Sequence, residues 1–194
     1  MKTAFIGLDY IIDIMHPEGK IAGSAAQAAE RGIIAKANQA LELADRHDWL
    51  SILVKVGFSS GYPDLPAHSA MFGKLQTVGA LEAGTRGMAF HPDLKAQLAD
   101  VVMTKPRVSA FYSTSLEASL RARRIERLVI AGVSSAWAVQ STVRDAHDRD
   151  YQVIVLEDAC AAASLEEHQQ SMAWLKRIAT IIPTAELASL CATA

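Results

Sequence analysis

The sequence predicts an α/β fold: a parallel sheet with helices on both faces. Three observations carry this. Short apolar runs alternate with amphipathic stretches along the whole chain. The runs are continuous rather than alternating, which marks strands buried on both faces. The chain has 194 residues, 51% of them hydrophobic, which suits one α/β domain over residues 1–194 with a sizeable core.

Thr3–Leu8 is the first strand, with Ala4, Phe5, Ile6 and Leu8 apolar. Ile34, Ala37, Leu41 and Ala44 then recur at helical spacing. Ser51–Val56 is the second strand. Residues 58–92 follow with many Gly, Pro, Ser and His residues and little periodicity, a long loop of the kind that usually serves function. Leu98–Met103 reads as the third strand, Ser115–Arg124 as a helix and Leu128–Ala131 as the fourth strand. Val139, Val143 and Ala146 mark the next helix. Gln152–Leu156 is the fifth strand, Glu166–Leu175 a helix and Ile178–Ile182 the last strand. Thr184 caps a final short helix.

Composition narrows the function. The formal charge is −2 with both signs interspersed, so no basic stripe points to nucleic acid. No apolar run reaches the length of a membrane span. The first residues enter a strand directly and lack a signal-peptide layout, which places the protein in the cytoplasm. The two cysteines, Cys160 and Cys191, do not make a disulfide framework. The histidines show no close metal-ligand spacing, so no metal and no cofactor is expected. The expected partner is a small molecule.

Ligands of open parallel sheets bind at the carboxyl ends of the strands. That rule selects Asp9, Val56–Phe58, Lys105, Ser134–Ala138 and Asp158. Asp9 stands among apolar residues, where poor solvation raises a carboxyl pKa; it also suits a loop or helix cap. Lys105 beside Asp9 would pull that pKa down, and the sequence does not rank the two effects. Asp13 reads as structural, bonding local backbone. The run Gly132–Ala138 joins a strand to a helix, and its backbone N–H groups can face an anion, with Ser134 or Ser135 as cap. Neither serine has an evident His–Asp pair. His147 and His168 read as helix-surface residues, and His68 as a loop residue near a pocket. Cys160 reads as a small buried residue rather than a nucleophile.

Four blocks together resemble the isochorismatase-like hydrolases, the superfamily that includes nicotinamidases and N-carbamoylsarcosine amidohydrolases. They are Leu8-Asp9-Tyr10 with Asp13 and His16-Pro17-Glu18-Gly19; Lys105 with Ser109-Ala110-Phe111; Gly132-Val133 with Thr142 and Asp145-Ala146; and Glu157-Asp158-Ala159 with His168. The resemblance covers nearly the whole chain. It implies a three-layer α/β/α architecture around a six-stranded, mainly parallel sheet, catalytic roles for Asp9 and Lys105, a cis peptide at Val133–Ser134, and a homo-oligomer. Substrate-binding positions expected from it are Tyr10, Phe58, Arg86, Phe111, Tyr112, Val133, Ser134, Ser135 and Trp137.

The chain departs from the amidase pattern. The position that holds a nucleophilic cysteine in that pattern is Ala138. The zinc-binding aspartate and histidines of nicotinamidases have no clear counterpart in residues 48–70. Isochorismatases proper hydrolyse a vinyl ether and lack the cysteine, so the resemblance implies acid catalysis by Asp9 with water as nucleophile. Arg86 stands where those enzymes place a tryptophan, and could meet a substrate carboxylate. Two other readings remain open: an amidohydrolase whose cysteine at 138 was changed to alanine, and a binding protein without turnover.

Overall fold

The computed structural model describes residues 1–191. Its strands are β1 (Thr3–Leu8), β2 (Leu50–Val56), β3 (Val101–Lys105), β4 (Arg127–Gly132), β5 (Gln152–Leu156) and β6 (Thr180–Ile182). They form one sheet in the order β3-β2-β1-β4-β5-β6, and each neighbouring pair is parallel. The strand order reverses direction between β1 and β4. Their carboxyl ends therefore open a crevice, because the chain leaves them toward opposite sides.

Burial explains why some strands are plain in the sequence and others are not. β1 and β4 are buried along their whole length. Both faces are covered, so every position except Arg127, at the start of β4, is apolar or small. The edge strand β3 alternates instead: Met103 and Lys105 are buried, Val102 and Thr104 exposed. It starts at Val101 rather than Leu98, because Ala96–Leu98 forms a 3-10 turn ahead of it. Lys105 is thus the last residue of the strand rather than the residue after it. β6 is also shorter than its apolar run. The N–H groups of Ile178 and Ala179 bond back to Leu175 O and close the preceding helix.

The helices are α1 (Ile12–Met15), α2 (Ala25–Glu30), α3 (Ile33–Arg46), α4 (Leu75–Val78), α5 (Leu116–Ala122), α6 (Gln140–His147) and α7 (Leu165–Leu175). α3 buries Ile33, Ala37, Ala40, Leu41 and Ala44 against β1 and β2. Its alanines let the helix approach the sheet closely. Ile34 lies at the edge of that stripe, half-buried. The right-handed sense of parallel crossovers puts α3 on one face and α6 and α7 on the other. α1, α2 and α4 are too short for a hydrophobic period to show, and the sequence does not reveal them.

Residues 58–92 build a small core of their own. Phe58, Tyr62, Phe72, Leu75, Leu81 and Met88 cluster with Ile11 and Val56. Asp13 fastens this segment to the sheet edge. Its buried carboxylate accepts from Leu81 N at 2.8 Å and from Lys20 N at 3.2 Å. Gly87 approaches the same carboxylate so closely that a Cβ would collide with it. The loop is therefore held in one shape without long regular elements.

Gly132 ends β4 beside Leu8 with φ of 148°. A Cβ there would collide with the carbonyl oxygen and Cβ of Leu8. We expect Gly132→Ala to lower stability by about 2 kcal/mol or more, from steric overlap and backbone strain together. Gly23→Ala, with nothing within 4 Å of its Cβ, should change stability by less than about 0.5 kcal/mol. Urea unfolding midpoints at unchanged slope measure both.

Candidate active site

Asp9 leaves β1 in the left-handed region, with φ of 55°. Asp tolerates that conformation better than most residues. The turn swings its carboxylate sideways across the end of β2. Oδ1 accepts from Val56 N at 2.6 Å, adding one side-chain rung to the β1–β2 ladder. Oδ2 lies 2.7 Å from Lys105 Nζ. Lys105 comes from β3, two strand spacings or roughly 10 Å away, and its long side chain crosses the end of β2. Its ammonium also donates to Arg107 O at 3.3 Å.

Only 1% of the Lys105 side chain and 3% of that of Asp9 are exposed. Burial pushes the Asp9 carboxyl above its ordinary range, while the charge and hydrogen bond of Lys105 and the N–H of Val56 pull it back. Desolvation is the larger effect. A carboxyl raised in this way is easier to protonate than a solvated one.

The third component follows β4. The Val133–Ser134 peptide bond is cis. Ser135–Val139 then makes one turn of π-helix leading into α6, and Ser134 Oγ caps it by accepting from Ala136 N. Three amides of the run Gly132–Ala138, and that of Val139 just after it, are committed elsewhere. Ser135 N donates to Ala161 O at 2.8 Å, Ala136 N to Ser134 Oγ at 3.2 Å, and Trp137 N and Val139 N to Ser134 O at 3.2 Å each.

Asp9, Lys105, Val133, Ser134, Trp137 and Ala138 share a cavity of about 260 Å³. Residues the sequence did not single out complete it. Ile14, Ile21 and Ser24 come from the stretch between β1 and α2. Met71, Phe72, Leu75 and Leu81 come from the 58–92 segment. Val108 fills the remainder, together with Val56, which the strand-end rule selects. The lining is mostly aliphatic and aromatic, with charge confined to the Asp9–Lys105 pair.

The other expected substrate-binding positions lie outside this lining, for identifiable reasons. Tyr10 is fully buried and its hydroxyl donates to Ala159 O at 2.7 Å. Phe58 packs with Tyr62 and Phe72 in the second core. Phe111 stacks on Tyr151 beneath the Arg149 guanidinium. Tyr112 is exposed beside Arg107. Arg86 is exposed, pairs with Glu18 at 2.6 Å and is not part of the cavity lining. Asp158 accepts from the N–H and hydroxyl of Thr184. His68 is exposed and does not line the cavity.

His168 is a clear correction. It is buried, 2% exposed, because the face of α7 carrying it packs against the π-helical turn. Its Nδ1 lies 2.8 Å from Ser135 Oγ and its Nε2 3.4 Å from Glu157 Oε2. So Ser135 does have a histidine partner. Ser135 is fully buried, however, and does not line the cavity. Cys160 is also fully buried, and burial pushes its thiol up to about 12, so it stays protonated and inert. Among the described residues, no group of three or more His, Cys, Asp or Glu side chains is placed to hold a metal ion. No helix among them is long and apolar enough to cross a membrane.

A six-stranded parallel α/β sheet with an acid–lysine pair in a small cavity at its carboxyl edge fits the isochorismatase-like hydrolases. The isochorismatase domain profile matches residues 3–186, and the chain belongs to that family. It is similar to the ureidoacrylate amidohydrolase RutB of Stutzerimonas stutzeri, 33% identical over 156 residues, covering 74% of this chain and 63% of RutB. The match to YecD of Escherichia coli O157:H7 covers 62% of that protein, so the chain spans less than two thirds of these curated relatives. Among solved structures, an isochorismatase family protein from Desulfovibrio vulgaris superposes with a TM-score of 0.87 over 98% of each chain at 23% identity, a likeness of fold. The pyrazinamidase/nicotinamidase of Streptococcus mutans superposes with a TM-score of 0.77 at 27% identity, over 93% of this chain and 100% of that one.

The ion pair makes a direct stability prediction. Lys105→Met should destabilise the protein by about 3–5 kcal/mol, because it strands a buried carboxylate. Adding Asp9→Asn should recover most of that loss, since the amide oxygen can still accept from Val56 N. Denaturation of the two single variants and the double variant checks this. Additive losses would show that the pair does not act as a unit.

Proposed function

We propose that this chain is a thiol-independent hydrolase in which Asp9 supplies the proton and water is the nucleophile. The observation that supports it best is the buried Asp9–Lys105 pair in an apolar cavity whose wall, at Ala138, carries a methyl group. The substrate is a small molecule bearing a carboxylate, and a vinyl ether such as isochorismate is the type that fits this chemistry. The cavity volume of about 260 Å³ lies just below the usual range for drug-sized ligands.

The proton logic follows from the geometry. A substrate carboxylate entering the cavity is attracted to Lys105, the cation there. It also brings a second negative charge close to Asp9. Like charge raises a carboxyl pKa further, so Asp9 takes up a proton as the substrate binds. Asp9 then delivers that proton to the terminal carbon of the enol ether, leaving an oxocarbenium ion. Water adds to the cationic carbon and returns a proton to Asp9. The hemiketal collapses to a ketone and an alcohol. Lys105 holds the carboxylate and steadies Asp9, while the apolar walls keep bulk water away.

A second reading has its own support. The named relatives RutB and the Streptococcus mutans enzyme act on amides, and Ala138 would then stand in place of a cysteine. The proposal also includes a cytoplasmic homo-oligomer acting as a single catalytic domain. Trp137 and Met71, exposed at the cavity, and Val78 on α4 offer apolar surface that a second copy would cover.

With isochorismate as substrate, Asp9→Asn should cut turnover by at least about 100-fold, the loss typical of a removed general acid. In the parent protein the acid form of Asp9 is the active one. Activity should therefore be present at low pH and decline as pH rises through the raised Asp9 pKa. Unchanged turnover in Asp9→Asn would defeat the mechanism, and binding of isochorismate without turnover by the parent would favour a binding protein. Separately, Ala138→Cys should give little hydrolysis of nicotinamide or ureidoacrylate; a strong gain would favour the amidohydrolase reading.

A further inference from the structure

Behind the turn that walls the cavity runs a hydrogen-bonded chain, buried at one end and half-exposed at the other, that the proposed reaction does not use. It begins at Ser135, whose Oγ is 2.8 Å from His168 Nδ1. His168 Nε2 faces Glu157 Oε2 at 3.4 Å. Glu157 Oε2 in turn accepts from an Arg31 terminal nitrogen at 2.8 Å. The same guanidinium donates to the carbonyls of Glu157 at 2.9 Å and Cys160 at 3.1 Å. Ser135 and His168 are buried and do not border the cavity, so neither touches substrate.

The ends of the chain set its direction. The Glu157 carboxylate, paired with Arg31, can only accept. His168 Nε2 therefore carries the hydrogen. Nδ1 of the neutral ring then offers a lone pair, and the Ser135 hydroxyl donates to it. With its own N–H on Ala161 O, Ser135 is held at both backbone and side chain. This matters because Ser135 opens a turn of π-helix, a geometry that needs support from its surroundings. A protonated His168 would carry hydrogens on both nitrogens. The Ser135 hydroxyl would have to turn away and lose its acceptor.

We propose that His168 is a positioning residue: as a neutral imidazole it anchors, through Ser135, the turn that presents Ser134, Trp137 and Ala138 to the cavity. The importance of that turn rests on the reading of the site above; the anchoring itself does not. The charged groups acting on His168 are Arg31, ahead of α3, and Glu157, after β5. The acids in the first turn of α7 are engaged elsewhere, Glu166 with Gln170 and Glu167 with Ala163 N. Burial and Arg31 disfavour the charged ring more than Glu157 favours it, so its pKa lies below that of free histidine.

Trp137, 55% exposed on the anchored turn, is a reporter that needs no substrate. The test replaces the protein's other two tryptophans, Trp49→Phe and Trp174→Phe. Trp137 emission and acrylamide quenching are then followed from high to low pH, with far-UV circular dichroism confirming the fold. The expected result is one transition below about pH 6.5, where free histidine titrates. It should vanish in His168→Gln and in Ser135→Ala and persist in Asp9→Asn. An unchanged transition in His168→Gln, or none in the folded parent, overturns the proposal. With isochorismate, Ser135→Ala and His168→Gln should each lower kcat roughly tenfold at little-changed KM, as expected for a displaced wall; unchanged kcat beside a measurable parent rate also counts against it. If Asp9→Asn keeps full turnover while the fluorescence behaves as expected, the catalytic reading fails and the anchoring stands.

Discussion

The Asp9–Lys105 pair is the constraint on which the rest of the site depends. Removing two charges from water costs several kcal/mol per ion, and only close geometry offsets it. That geometry spans three strands. Asp9 must leave β1 at a fixed point, β2 must supply the Val56 N–H, and β3 must end with Lys105 opposite Val56. A slip of one residue in either ladder would turn Lys105 to the other face. The buried apolar faces of β1 and β2 hold the register that keeps the pair together.

Around this fixed pair the molecule places a wall of a different character. The 58–92 segment owes its shape to a private apolar cluster and to the backbone bonds of Asp13. Its inner side chains Met71, Phe72 and Leu75 line the cavity. The charged pair thus comes from strand ends, while one apolar wall of the cavity comes from an irregular segment. The two can vary separately, which suits a family whose named relatives act on different small molecules.

The legibility of the sequence divides along the same line. Asp9, Lys105 and the turn at Ala138 were readable because strand ends are fixed by topology, and apolar runs locate them. The aromatic residues Tyr10, Phe58 and Phe111 near those ends do not line the cavity. They are consumed by packing or by a backbone carbonyl, and nothing in a sequence tells a wall residue from a supporting one. Arg86 stands outside the cavity lining and pairs with Glu18, a partner remote in sequence. Met71, Phe72 and Leu75 lie where no period exists to announce them. The sequence does carry a signal for the burial of His168: with Met172 and Leu175 it stands at i, i+4 and i+7, the spacing of an inward helix face.

Lys105 is carried by a strand at the rim of the sheet. β3 has a single neighbour, and Val102 and Thr104 on it are open to solvent. Rim strands detach from a sheet more readily than central ones, in local openings that leave the core intact. Each such opening would draw the ammonium away from Asp9 and leave the carboxyl without its counter-charge. Parting the pair would then require the opening of five residues, not the unfolding of the whole domain. Heat would part the pair before it melted the domain.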